Sequence, residues 1–290
     1  MEIRLGTIKQ EKSGPSIKLE DEISETQYND LLDAIKEIHT LESNKRLFEI
    51  VFLNKNDFVD TLNRDIKEMI KSSLSLAGNR TQYYQHHLNF NRLFLNYLSS
   101  IKTFIDHNEK KIKNNFGDES KEAKEFKNIT HYYFNNFFCY RFFVKLRDYG
   151  QHCGMPLSDF GLSTHRNPDG SYISTANIEF DPKQLLETFS GWKKDVTKDL
   201  EQMQSKFPLA PLIENMTKVL LGFWQAMDAI YTDKICKATI YIKGLADHLR
   251  SDNTDVCIFT NIQDNEDGSL KKFETLTIPF DIIDMLDVSC

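Results

Sequence analysis

QYYQHHLNFNRLFLNYLSSIKTFIDHNEKKIKNN, residues 82–115, puts Phe94, Leu98, Ile101, Ile105 and Ile112 at intervals of three, four and seven. Such spacing lines one face of an α-helix, and the polar residues between turn outward. Gly117 marks the end of this helix. A second helix opens near Ser120 and carries Phe126, Ile129, Tyr133, Phe137, Tyr140, Val144 and Arg147, each three or four residues after the last. Two long helices joined by a short turn pack antiparallel, so the fold is expected to be mainly α, a bundle built around this pair.

Outward from the pair the pattern stays mostly helical. Leu31, Leu32, Ile35, Ile38 and Leu41 recur at helical spacing, as do Phe58, Leu62, Ile66 and Ile70. Residues 47–53 admit a strand instead, because Phe, Ile and Val dominate there. Asp181-Pro182 reads as an N-cap followed by proline in the first turn, opening a helix through Leu185, Phe189, Trp192, Val196 and Leu200 to about residue 206. Pro208 and Pro211 break the chain, and residues 212–249 continue as a helix or a pair interrupted near residues 231–236.

Strand patterns are few. Residues 3–8 alternate and are followed by a polar loop containing Gly14-Pro15; residues 160–180 form a β-hairpin about Asn167-Pro168-Asp169-Gly170; residues 256–278 form another about Asp264 to Ser269, before a short helix at Pro279. The domain reading is a strand-and-loop leader over residues 1–25, a helical domain over residues 26–250 that includes the hairpin, and a C-terminal hairpin with a short helix over residues 251–290.

Composition narrows the function classes. Of 290 residues, 40 % are hydrophobic and 27 % charged, enough apolar material for a packed core. No window approaches the roughly 20 apolar residues of a membrane span, and the N-terminus lacks a secretory signature, so a cytoplasmic location without membrane contact is expected. Five scattered cysteines with no CxxC pair speak against a disulfide framework or a zinc site, and Cys153 beside His152 reads as a small buried thiol. His86, His87 and His107 have no second metal-type ligand at i+4 and read as exposed-face histidines. Neither a phosphate-binding glycine loop nor a GxSxG elbow is present, and Asp264 to Gly268 lacks the order of a calcium loop; no cofactor or metal is expected. A net charge of -7 gives nucleic acid no general attraction, and the lysines of residues 102–127 alternate with acids as on a solvated face.

One segment carries chemistry. Arg147 continues an apolar stripe, so its guanidinium must find a partner or face a cleft, and Asp148, Gly150 and His152 follow within five positions. The run Tyr140-Arg141-Phe142-Phe143-Val144-Lys145-Leu146-Arg147-Asp148-Tyr149-Gly150-Gln151-His152 resembles the signature of HEPN domains: an Arg, a polar residue and a His close behind, near the end of a helix in an all-helical bundle. The resemblance covers residues 140–157. It implies a HEPN-like helical bundle with small β-hairpin additions, and a metal-independent endoribonuclease acting as a homodimer whose two motifs share one cleft. It further implies Arg147 as the phosphate contact, Asp148 as the polar residue orienting a partner and His152 as the acid/base; Tyr149, Gln151 and Arg141 nearby are candidate substrate contacts. Many relatives belong to toxin–antitoxin or phage-defence systems, so RNA and a protein antitoxin or regulator are the implied partners; others are silent modules that bind RNA, nucleotide or protein.

The spacing within the motif raises a difficulty. Residues five apart on a regular helix point about 140° away from each other, so Arg147 and His152 converge only if the helix ends or bulges at Gly150, or if a second copy supplies the missing half. The alternative is purely structural: Arg147 paired with an acid, Asp148 capping or bridging, His152 bonding a carbonyl at the helix end, and the aromatic residues 126–149 serving assembly.

Overall fold

The computed structural model describes residues 2–12, 14–71, 80–157, 160–170, 172–266 and 270–286. Among them helices dominate. The chain divides into two compact units, one made of residues 1–45 and 228–290, the other of residues 46–227. Helices α1 (Glu25–Lys71) and α7 (Leu209–Ala246) contribute residues to both.

In the first unit the two ends of the chain meet in one antiparallel sheet. β1 (Arg4–Glu11) pairs with β2 (Gly14–Glu22) on one side and with β6 (Thr254–Asp264) on the other, and β6 pairs with β7 (Leu270–Thr277), giving the order β2-β1-β6-β7. Leu5 lies opposite Ile258, and both are buried. The polar segment after residue 11 is therefore a strand, not the expected loop: its backbone pairs with β1 although its side chains are mostly exposed. A Cβ at Gly6 would lie 2.3 Å from the Lys18 carbonyl oxygen, so the close approach of β1 and β2 requires glycine there. Helix α8 (Phe280–Leu286) follows β7 and buries Phe280 and Ile283. The turn between β6 and β7 lies partly outside the described residues.

The second unit holds the helical pair. Helix α2 (Arg80–Phe116) ends at Gly117, which has a positive φ of 97°; α3 (Lys121–Asn136) starts at the N-cap Ser120, whose hydroxyl accepts from the Ala123 N–H. The expected single helix through Arg147 breaks at Phe137, which is extended, and resumes as α4 (Phe138–His152). The break follows from Arg141, whose Nη1 donates to the Phe134 and Asn135 carbonyls at 3.0 and 3.4 Å and so satisfies the open end of α3. The pair is antiparallel, for Phe94 and Tyr97 meet Phe143, and earlier on α2 Asn91 meets the later Leu157.

Helix α4 is buried on two sides, which accounts for its aromatic density. Phe143 packs on α2, while Phe142 meets Phe180, Phe207 and Trp192 at ring distances of 5.2, 5.5 and 5.8 Å. Those partners come from β4 (Tyr172–Phe180), β5 (Phe207–Pro208) and the link between α5 (Pro182–Thr188) and α6 (Lys194–Gln202). β4 is the middle strand of a sheet completed by β3 (Phe160–Arg166) and β5. Asp181 caps α5 as expected, but the helix does not reach residue 206: Phe189 is extended, and Trp192 folds back so that its Nε1–H donates to the Leu185 carbonyl at 2.9 Å. Residues 47–53 are helical, and α7 passes through residues 231–236 without interruption. No helix among the described residues is long and apolar enough to cross a membrane.

Candidate functional site

The motif occupies the last turns of α4 and the segment after it. Leu146 and Tyr149 are buried, and Arg147 and Asp148 lie half-buried at the edge of that face. Asp148 accepts from Lys145 Nζ at 2.8 Å and lies 3.6 Å from Arg147 Nη1, so one carboxylate stands between two cations. The Arg147 Nε is buried and has no acceptor among the described residues. Leaving that buried donor unpaired costs about 1–3 kcal/mol, while the Arg147 side chain as a whole is 29 % exposed.

Helix α4 runs unbroken through Gly150 to His152, and the Cys153 N–H closes it on the Tyr149 carbonyl at 2.9 Å. The glycine serves packing and not a bulge: a Cβ there would lie 2.6 Å from Leu95 Cδ2 on α2. Arg147 and His152 therefore keep the divergence of about 140° that a regular helix imposes. Gln151, His152 and Cys153 are all exposed, so Cys153 is not the buried thiol expected; it sits beyond the helix end, where the chain turns outward.

Tyr149 and Arg141 are held by the fold. The Tyr149 ring stacks on Trp192 at 5.9 Å with 15° between planes and meets Phe189 edge-on. Arg141 forks onto Asp199 of α6, Nε to Oδ2 at 2.5 Å and Nη2 to Oδ1 at 2.9 Å. The bond to Asp199 holds the guanidinium charged, raising its affinity for the proton above the ordinary arginine value.

The chain in residues 151–155 forms an exposed arch, and its far foot is fixed by residues that periodicity did not single out. Asn91, buried on α2, accepts the Leu157 N–H at 2.9 Å and donates to the Leu157 carbonyl at 2.9 Å. His87 Nε2 donates to the same carbonyl at 2.7 Å. His86 Nδ1 lies 2.9 Å from Oδ2 of the buried Asp65. His86 and His87 are thus half-buried and bonded, not exposed-face histidines: both lie where α2 meets other chain, which a count of i+4 ligands does not register. His107 is exposed as expected. An Asn four residues after a His, in line with the apolar face of the helix, was the available signal.

Among the described residues no three His, Cys, Asp or Glu side chains converge as a metal site. A groove of about 610 Å³ between α2 and α3 is lined by Ile112, Ala123 and Phe126 and includes neither Arg147 nor His152. The lysines along it are largely paired, Lys113 with Glu109 and Lys124 with Glu119, as a mixed solvated face requires.

No family model, no curated protein and no solved structure matches the chain. The functional reading therefore rests on this geometry and on the motif.

Proposed function

We propose that the chain is a HEPN-like, metal-independent endoribonuclease whose working site is completed by a second copy. The observation that supports it best is the pairing of Arg147, with its Nε lacking an acceptor, and an exposed His152 at the end of one rigid helix. RNA cleavage without metal needs a base to take the 2′-OH proton as that oxygen attacks phosphorus, an acid to protonate the departing 5′-oxygen, and a cation to stabilise charge on the phosphoryl oxygens. Imidazole and guanidinium supply these parts near neutral pH.

The divergence of Arg147 and His152 along α4 favours a composite site, in which the Arg147 of one copy faces the His152 of the other across a two-fold axis. Met155 in the arch, and Tyr84 and Leu88 in the stretch of α2 that carries His87, are exposed apolar side chains. Such side chains suit self-association. Asp148, bonded to Lys145 and near Arg147, tunes the cationic side of the site. A role in a toxin–antitoxin or phage-defence system, with a protein regulator, belongs to the same proposal.

The test is cleavage of a mixed RNA pool in excess EDTA by native protein, His152→Ala and Arg147→Ala, with folding checked by circular dichroism. Cleavage abolished in both variants supports the reading. Intact RNA with native protein, but binding that depends on Arg147, would replace it with a silent module that binds RNA or nucleotide.

A further inference from the structure

His152 is the last residue of α4. Helix ends fray, and an exposed terminal side chain keeps one direction only if the chain beyond it is held. Here both feet of the arch are held. At the near foot the Tyr149 ring is stacked on Trp192, and the Tyr149 carbonyl accepts from Cys153 and Gly154 at 2.9 and 3.4 Å. At the far foot Pro156 packs over Gly150, 3.6 Å from where a Cβ would stand, and Leu157 is buried.

The far foot depends on one side chain. Asn91 is 1 % exposed, and its carboxamide spans both polar groups of Leu157 as a neighbouring strand would; its second N–H goes to the His87 carbonyl at 3.1 Å. His87 adds a donor to the Leu157 oxygen, so this ring nitrogen carries the proton. Asn is a poor helix former, and burying it inside α2 is favourable only because these bonds are complete. Without Asn91 the buried Leu157 N–H would lose its partner, at about 1–3 kcal/mol, and the Leu157 carbonyl would keep only the His87 donor. The segment would then open toward water and free the end of α4.

We infer that Asn91, assisted by His87, is a positioning residue for His152, fixing the arch that carries it. The inference rests on the proposed acid/base role of His152, and its test has readouts independent of that role. In full-length protein, the His152 ring signal is assigned by NMR with His152→Gln, amide exchange is followed at Leu157, and RNA cleavage is resolved into kcat and KM. Asn91→Ala is expected to speed exchange at Leu157 by about tenfold or more, to split or broaden the His152 signal, and to lower kcat by about tenfold or more with KM nearly unchanged. His87→Gln, which keeps a donor toward the Leu157 carbonyl, is expected to stay near native in all three.

A sharp His152 signal at its native position in Asn91→Ala protein overturns the inference, even if thermal stability falls. Should native protein cleave no RNA, the ribonuclease reading fails while ring signal and exchange still decide whether Asn91 positions His152. Should Asn91→Ala not fold, His87→Ala removes one of the bonds, and an unchanged His152 signal there is again the overturning result.

Discussion

The Arg141 guanidinium meets the Asp199 carboxylate through two parallel donors, 58 residues apart in sequence, and turns a third toward the last carbonyls of α3. One side chain thus ties α4 to α6 and closes α3. Both partners are mostly buried, with 13 % and 22 % of their side chains exposed, so the pair is screened less than a surface bridge. Arg141→Ala is expected to cost about 2–3 kcal/mol, leaving Asp199 and two carbonyls unpaired. That corresponds to a fall of roughly 4–12 °C in Tm at this unit's size. Arg141→Lys recovers less than half, since an ammonium cannot fork. Thermal denaturation of the three proteins checks it; a Tm unchanged in Arg141→Ala returns the residue to the candidate substrate contacts.

Asp148 places a negative charge between Lys145 and Arg147. Asp148→Asn removes that charge and leaves both cations facing solvent. RNA binding is then expected to tighten by roughly fivefold at low salt, with the salt dependence steepening by up to about 0.7 in the log–log slope for one more single-strand phosphate contact. Titration of labelled RNA between 50 and 200 mM salt, about the range where such slopes are resolved, reads this. Identical affinity and slope in both proteins would remove Asp148 from the RNA-facing surface.

Helix α2 was legible because its apolar residues repeat without a break, and the motif was legible because Arg147, Gly150 and His152 stand together in sequence. What was hidden depends on distant partners. The break at Phe137 interrupts no periodic pattern; it depends on Arg141, itself aligned by Asp199 far along the chain. β2 is a polar edge strand whose identity comes from its backbone pairing with β1. Residues 47–53 admitted a strand by composition, but Val51 is buried while Leu53 is 62 % exposed, which alternation would have put on one face. Phe48 settles the helix by packing on Phe52, Phe104 and Trp224. The Asn91 contact with Leu157 spans 66 residues and leaves no local pattern.

Gly222 lets α7 approach α3 closely. A Cβ there would lie 2.4 Å from the Tyr133 hydroxyl. That ring cannot swing aside freely, since Phe137, Tyr140 and Phe223 surround it at 5.6 to 6.2 Å. Alanine gains about 1 kcal/mol in helix propensity, whereas overpacking costs about 1–3 kcal/mol. Gly222→Ala is therefore expected to lower stability by about 1 kcal/mol, and Gly222→Ala with Tyr133→Phe to recover most of it. A double-mutant cycle in urea measures the coupling, and additive effects would sink the account.

Tyr97 lies fully buried beneath Phe143, and its hydroxyl has no partner among the described residues. Burial pushes its pKa well above the ordinary value of 10.0, with Cys139 adding to the shift, and burial raises Tyr140 likewise, helped by Asp106 and Glu109. In the unfolded chain these phenols ionise near pH 10, while the folded chain keeps their protons. Below that pH their contribution to stability is constant. Above it the unfolded state binds fewer protons, and stability falls as pH rises toward the folded-state values, by up to about 1.4 kcal/mol per pH unit for each group. Tyr97→Phe removes the unpartnered hydroxyl and one of the two titrations. It is expected to raise stability by about 1 kcal/mol at pH 7 and to make the loss between about pH 10 and 12 shallower by one proton. Urea midpoints across that range test both. A variant less stable at pH 7 by more than about 1 kcal/mol would mean that the hydroxyl holds a bond that stabilises the fold.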